Sequence, residues 1–237
     1  MNYLINYADV KYLSSQKLCT KSAYNNGIDK VFECNVSDLD NFFIHENRNI
    51  LSQNRGAGYW LWKPYIILKY LKNINENDYL FYCDSGANFI NNINDLINVF
   101  KNKKQEIMPF NICDQIEIKW TKRDLLKYLD LDYPEIIYKP QINAAFQLIK
   151  KTDFSIKFYE EYLEYSKNPQ LITDLPSNSD NYPEFIEHRH DQSIFSLLCK
   201  KYKFECFRDP SQWGNNYIDN YPNSPYDQII NHHRNKK

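Results

Sequence analysis

Glycine is scarce in this chain, five residues in 237. Neither the Walker loop G-x-x-x-x-G-K-[ST] nor the Rossmann fingerprint G-x-G-x-x-G occurs, which removes the commonest nucleotide cradles. Excess charge is missing too. Lys+Arg number 29 against Asp+Glu 30, a net charge of −1, which argues against a dedicated nucleic-acid binder with its basic stripe. No run approaches the ~18 apolar residues of a spanning helix. The opening residues 1–7 (MNYLINY) lack the basic stretch and long apolar core of a secretion leader. The six cysteines, Cys19, Cys34, Cys83, Cys113, Cys199 and Cys206, form no C-x-x-C pair. That spacing fits neither a zinc site nor a dense disulfide framework, and it predicts reduced thiols in a cytoplasmic protein.

What the chain does have is aromatic side chains, 16% of residues with twenty Tyr. Tyr joins apolar area to a hydroxyl and suits both a core and a carbohydrate or nucleotide cleft. A coding bias that also enriches Asn, Lys and Ile is the plainer source. Charged residues at 25% and hydrophobic ones at 43% are values of a globular chain.

Residues 3–7 read as a strand, 12–24 as a helix ending at Asn25-Asn26-Gly27, and 30–34 (KVFEC) as a second strand. That order predicts a right-handed crossover in a parallel sheet. Helical spacing recurs over 60–71, with Pro64 tolerable in the first turn. A buried run, 79–83 (YLFYC), stops at Asp84-Ser85-Gly86. Open α/β sheets bind ligands at the carboxyl ends of such strands. Further on, 93–101, 121–129, 153–166 and 191–201 read as helices. Residues 107–110, 141–149 and 204–207 read as strands. The loop-like stretch 171–183 is read as an active-site loop. With no repeat and no linker, the chain is expected to be one α/β domain.

Four constellations carry chemistry. Arg55-Gly56-Ala57-Gly58 followed by Trp60-Leu61-Trp62-Lys63 puts two of the five glycines and two cations just before a helix, a setting that favours phosphate. A turn with solvated charges is the competing reading. Asp84 at a strand end could hold a cation or a ribose hydroxyl, or simply cap a turn. Glu187-His188-Arg189-His190-Asp191-Gln192 is chemically dense, yet its two histidines lack the i,i+4 spacing of a helical zinc pair, and Asp191 could be an ordinary helix cap. His232-His233-Arg234 near the chain end could be a frayed basic tail.

Together these motifs resemble the GT-A-fold, nucleotide-sugar-dependent glycosyltransferases, closest to small bacterial and viral members with RGxGYWLWKP followed by YxDSG. The likeness runs from about residue 3 to 234. Asn143-Ala144-Ala145 with Leu148-Ile149 is similar to a strand of glycogenin-like and lipooligosaccharide galactosyltransferases, and Asp191-Gln192-Ser193 to their D-Q-D segment. The resemblance implies an α/β, Rossmann-like, mostly parallel central sheet flanked by helices, with 1–110 the nucleotide-binding half and 111–237 the acceptor-binding half, whose tail closes the site. It implies Tyr7 and Asp9 at the base and ribose, with Arg55, Lys63 and Ser85 also on the donor. Asp84 would stand at the D-x-D metal motif, with His232 or His233 as the late metal ligand. Asn143, Asp191 and Gln192 would line the reaction centre. The cofactor implied is Mn²⁺ or Mg²⁺. The partners are a nucleotide sugar, UDP-sugar favoured, and a glycan or other hydroxyl acceptor, in the cytoplasm of a bacterium or virus-infected cell.

The implied activity is hexosyl or N-acetylhexosaminyl transfer. Gly86 replaces the second metal aspartate, so Asp84 alone supplies that carboxylate. In an inverting enzyme Asp191 would be the base; in a retaining one, Asp191 and Gln192 would stabilise oxocarbenium-like charge. The D-Q resemblance tilts the expectation towards retention. Two other classes remain: a non-catalytic sugar- or nucleotide-binding module on the same fold, and a phosphate hydrolase using Asp84, whose usual D-x-D-x-[TV] pattern is missing.

Overall fold

A computed structural model describes residues 1–235. Ten strands form three sheets among them. β1 (Asn2–Tyr7), β2 (Lys30–Cys34), β3 (Tyr79–Cys83), β8 (Phe146–Lys150) and β5 (Ile107–Met108) make the central sheet, in the order β2-β1-β3-β8-β5. β1 pairs parallel with β2 and β3, whereas β8 runs antiparallel to both of its neighbours. Four of the five strands therefore point one way, and the sheet is mostly parallel as the sequence implied. β7 (Pro140–Ile142), β6 (Phe110–Ile116) and β9 (Phe207–Arg208) form a smaller sheet; β10 (Ile230–Asn231) pairs with β4 (Asn88–Phe89).

Period-two alternation builds the layers. Tyr3, Ile5, Tyr7, Leu80 and Tyr82 point to one face of the central sheet, where the helices Trp62–Leu71, Asp153–Ser166 and Asp191–Lys201 cover them. Leu4, Phe81 and Cys83 point to the other, against the helices Leu13–Asn25 and Asn94–Phe100. Helices on both faces are what near-continuous apolar strands such as YLFYC require. All six cysteines are free thiols, four of them buried. No helix among the described residues is long and apolar enough to cross a membrane.

Three elements differ from the sequence reading: the late strand is 207–208 rather than 204–207, and 107–110 and 141–149 are each divided. Residues 141–149 are two strands in two sheets, broken at Asn143-Ala144-Ala145. The Asn143 amide still donates to Phe110 O of β6 (2.7 Å), while Ala145 O accepts from the Asp84 amide (2.9 Å). This corner hands the chain from the small sheet to the central one, directly beside Asp84. Pro109, with no amide hydrogen to give a ladder, divides β5 from β6 in the same way.

Candidate active site

A cleft of about 1050 Å³ opens where β1 and β3 end. Tyr7, Asp9, Arg55, Lys63, Asp84, Ser85, Asn143, Asp191, Gln192 and His232 all line it; His233 does not. The strand-end rule explains why Tyr7 and Asp84 meet here: β1 and β3 are parallel neighbours, so their carboxyl ends share one edge. Ser85 ties the two ends together by donating its hydroxyl to Tyr7 O (2.6 Å), so this hydroxyl is committed to backbone.

At the floor lies Lys63, only 2% exposed. Its ammonium is 2.8 Å from Asp191 Oδ2, 3.6 Å from Asp84 Oδ1, and donates to Ala144 O (3.3 Å). Burial pulls the Lys63 pKa down, but the two carboxylates outweigh it and hold the ammonium charged. Burial pushes the Asp191 carboxyl up to about 6 against the pull of Lys63. At neutral pH the pair is therefore ionised. The Tyr162 hydroxyl lies 3.3 Å from the same Asp191 oxygen, and Tyr82 donates to Asp84 Oδ1 (2.6 Å).

Gln192 donates to Gln141 Oε1 (2.8 Å). Asn143 donates to Asp209 Oδ2 (2.8 Å) and accepts from the Ala145 amide (2.8 Å). Asp209 lines the cleft and was missed in the sequence. Its signal is the one that picks out Asp84, a carboxylate directly after a short buried strand, here β9.

The glycine turn is unusual. Gly56, Ala57, Gly58, Tyr59 and Trp60 all have positive φ, between 50° and 96°. L-residues avoid this region at about 1–2 kcal/mol each. The turn points Trp60 onto the His190 ring (5.6 Å, 22°) and lets Trp62 donate to Gly56 O (3.0 Å) while stacking on Tyr7 (3.8 Å, 17°). Arg55 is drawn away towards Asp174 (3.3 Å) and Glu187 (3.1 Å), so its charge is shared with two carboxylates. His190 also has positive φ, 55°, and its Nδ1 donates to Ile172 O (2.7 Å). The 171–183 stretch does not line the cleft, whose wall in this region begins at Arg189. Asp124, accepting from the Asn178 and Ser179 amides (2.8 and 2.9 Å), ties that stretch down elsewhere.

The tail comes back over the cleft. Arg234 donates its amide to Gly86 O (2.7 Å), and a Cβ on Gly86 would stand 3.0 Å from Arg234 Cα. Gly86 is thus favoured by close approach of backbone. Gln212 exchanges two hydrogen bonds of 2.9 Å with the His232 backbone. His232 is buried, its pKa lowered by that burial, and its Nδ1 has no partner among the described residues. That orphan nitrogen and the partly exposed Asp84 carboxylate fit as two donors to a divalent cation. Among the described residues no group of three His, Cys, Asp or Glu side chains is arranged to hold a metal.

No protein-family model and no curated protein matches the chain. Solved structures do. The apo form of mouse xyloside xylosyltransferase 1 matches over 98% of this chain and 97% of its own, with a TM-score of 0.53 at 11% identity. The apo glycosyltransferase GlyE of Streptococcus pneumoniae TIGR4 matches over 98% of this chain and 54% of its own, with a TM-score of 0.47 at 15% identity. The xylosyltransferase match spans nearly the whole of both chains, and the fold is one that glycosyltransferases use.

Proposed function

We propose that this chain is a glycosyltransferase that moves a sugar from a nucleotide diphosphate sugar, UDP-sugar favoured, to a hydroxyl acceptor. The observation that carries the reading is the Asp84–Lys63–Asp191 cluster, with Lys63 and Asp191 buried and Asp84 open to the cleft, at a strand-end edge in a fold that glycosyltransferases use. Such a cluster fixes charge where charge develops as a nucleoside diphosphate leaves the anomeric carbon.

In this reading the nucleotide lies against Tyr7, Trp62 and Asp9. Lys63 spends its donors on Asp191, Asp84 and a carbonyl, so it acts through the two carboxylates, fixing their positions. Arg234, exposed on the cleft and without a carboxylate partner among the described residues, is the cation for a diphosphate oxygen. Asp84 and His232 would hold Mn²⁺ or Mg²⁺, which when bound neutralises phosphate charge. Asp191, ionised at neutral pH beside Asn143 and Gln192, stabilises oxocarbenium-like charge at the sugar. The departing phosphate takes the acceptor proton, which is the retaining course. In this reading residues 1–110 supply the donor side through β1 and β3, and the second half supplies the acceptor side through β6, β7 and β9, with His232 and Arg234 returning to the donor.

The test is incubation with UDP- and GDP-sugars and Mn²⁺, read as released nucleoside diphosphate. Asp84→Asn should cut that release at least about a hundredfold in a protein of unchanged fold. Nucleotide binding without any turnover would leave a binding module instead.

A further inference from the structure

Trp213 is 56% exposed although it lines the cleft, whereas Trp62 across the same cleft is only 5% exposed. Single exposed apolar residues are ordinary; this one is held in place. Gln212 before it is locked to His232 by two hydrogen bonds. Gly214 after it packs so closely that a Cβ there would meet Asp209 O at 2.0 Å. The indole is therefore a fixed flat surface, one face of which carries the Arg234 guanidinium, 5.9 Å from the ring centroid. Tyr217, four residues on, donates its hydroxyl to the exposed Asp114 carboxylate, and both line the same cleft with Gln115 and Asn216.

We propose that Trp213, with Asp114 and Tyr217, forms a subsite for a sugar ring of the acceptor, so that the acceptor is itself a carbohydrate. This rests on the transferase reading for the word acceptor, and on the geometry for the word sugar. A pyranose offers one apolar C–H face and a rim of hydroxyls. A rigid indole takes the first, and a carboxylate with flanking amides takes the second. A lipid chain would find three polar groups beside the ring. A nucleobase already has the Tyr7–Trp62 stack at the end of β1, whereas Trp213 follows β9 of the small sheet.

The experiment uses the full chain, as wild type, Trp213→Ala and Trp213→Phe, on a printed glycan array in the presence of UDP, with UDP affinity measured separately by calorimetry. Wild type should bind a related set of glycans. Trp213→Ala should lose at least tenfold of that binding and Trp213→Phe should keep part of it, with UDP affinity falling well under tenfold, since losing the ring also frees the Arg234 guanidinium that rests on it. A tenfold loss of UDP affinity in Trp213→Ala would make the ring a nucleobase platform and overturn the proposal. Glycan binding indifferent to Trp213, or no binding by wild type, overturns it equally. Trp213-dependent glycan binding in a protein that turns over no nucleotide sugar would keep the subsite and sink the transferase reading, so the two failures are distinct.

Discussion

The Lys63 ammonium lies 2.8 Å from the Asp191 carboxylate, and both side chains are buried. Each is tolerable there only because of the other. Lys63→Met should therefore destabilise the protein by about 3–5 kcal/mol, the usual effect of leaving one partner of a buried pair unmatched. A urea melt measures it. A loss below about 1 kcal/mol would mean that the pair is solvated and worth no more than a surface bridge.

Asp191 also sets a pH dependence. Its carboxyl is raised from 3.8 to about 6 by burial, with Lys63, Asp84 and Tyr162 as its ionisable neighbours. Activity that needs the carboxylate should fall below about pH 6 with the slope of one proton. The folded state takes this proton before the unfolded state does. The group's contribution to stability is thus full below 3.8 and lost as pH rises through about 6. Acid loss of activity should accordingly precede unfolding. Turnover against pH, beside circular dichroism of the same samples, checks this; a flat profile down to pH 5 would remove Asp191 from the chemistry.

The left-handed turn gives a prediction of opposite sign at adjacent residues. Ala57 has φ 50° and should be better as glycine, so Ala57→Gly is expected to stabilise by about 0.5–1 kcal/mol. Gly58 has φ 96°, and a Cβ there would stand 2.7 Å from the Leu51 Cα. Gly58→Ala should cost about 1–3 kcal/mol. Paired denaturant melts decide both. If the two variants shift the midpoint in the same direction, the turn is not as described.

This turn also marks where the sequence stopped being readable. Strands β1, β2 and β3 were legible as short apolar runs bounded by turn residues, and the helices 153–166 and 191–201 because their apolar residues recur at a period of 3.6. Asp84 was legible because it ends such a strand. The glycines at 56 and 58 were visible as punctuation, but nothing local says that Tyr59 and Trp60 continue the left-handed path. The break at Asn143 was hidden because both flanking segments are apolar and extended; only the pairing partners β6 and β3 distinguish two strands from one. Arg55 looked like a phosphate cation because Asp174 and Glu187, which hold it, lie more than a hundred residues away. Trp213 carried no signal in the sequence, since exposure is a tertiary property.

Gly86 offers the sharpest test of the tail. It stands where a second metal carboxylate would be expected, and Arg234 passes over it closely enough for a 2.7 Å backbone hydrogen bond. Gly86→Asp supplies a carboxylate, so on ligand count alone it should tighten Mn²⁺. The packing argues the reverse. The new Cβ would meet the Arg234 Cα at 3.0 Å, so the tail must shift by a few tenths of an ångström, and more to pass the added carboxylate. Lifting it would withdraw Arg234 and loosen His232. The expected outcome is at least a tenfold loss of nucleotide diphosphate affinity measured with Mn²⁺, a difference of about 1.4 kcal/mol. Gly86→Ala brings the same close contact without adding charge, and should reproduce part of the loss. Arg234→Ala keeps the backbone path and removes only the cation, so it should lose less than Gly86→Asp. If Gly86→Asp instead binds Mn²⁺ and nucleotide more tightly, the tail is not what fixes glycine at this position. In that case the missing carboxylate, rather than the close approach of Arg234, limits the site.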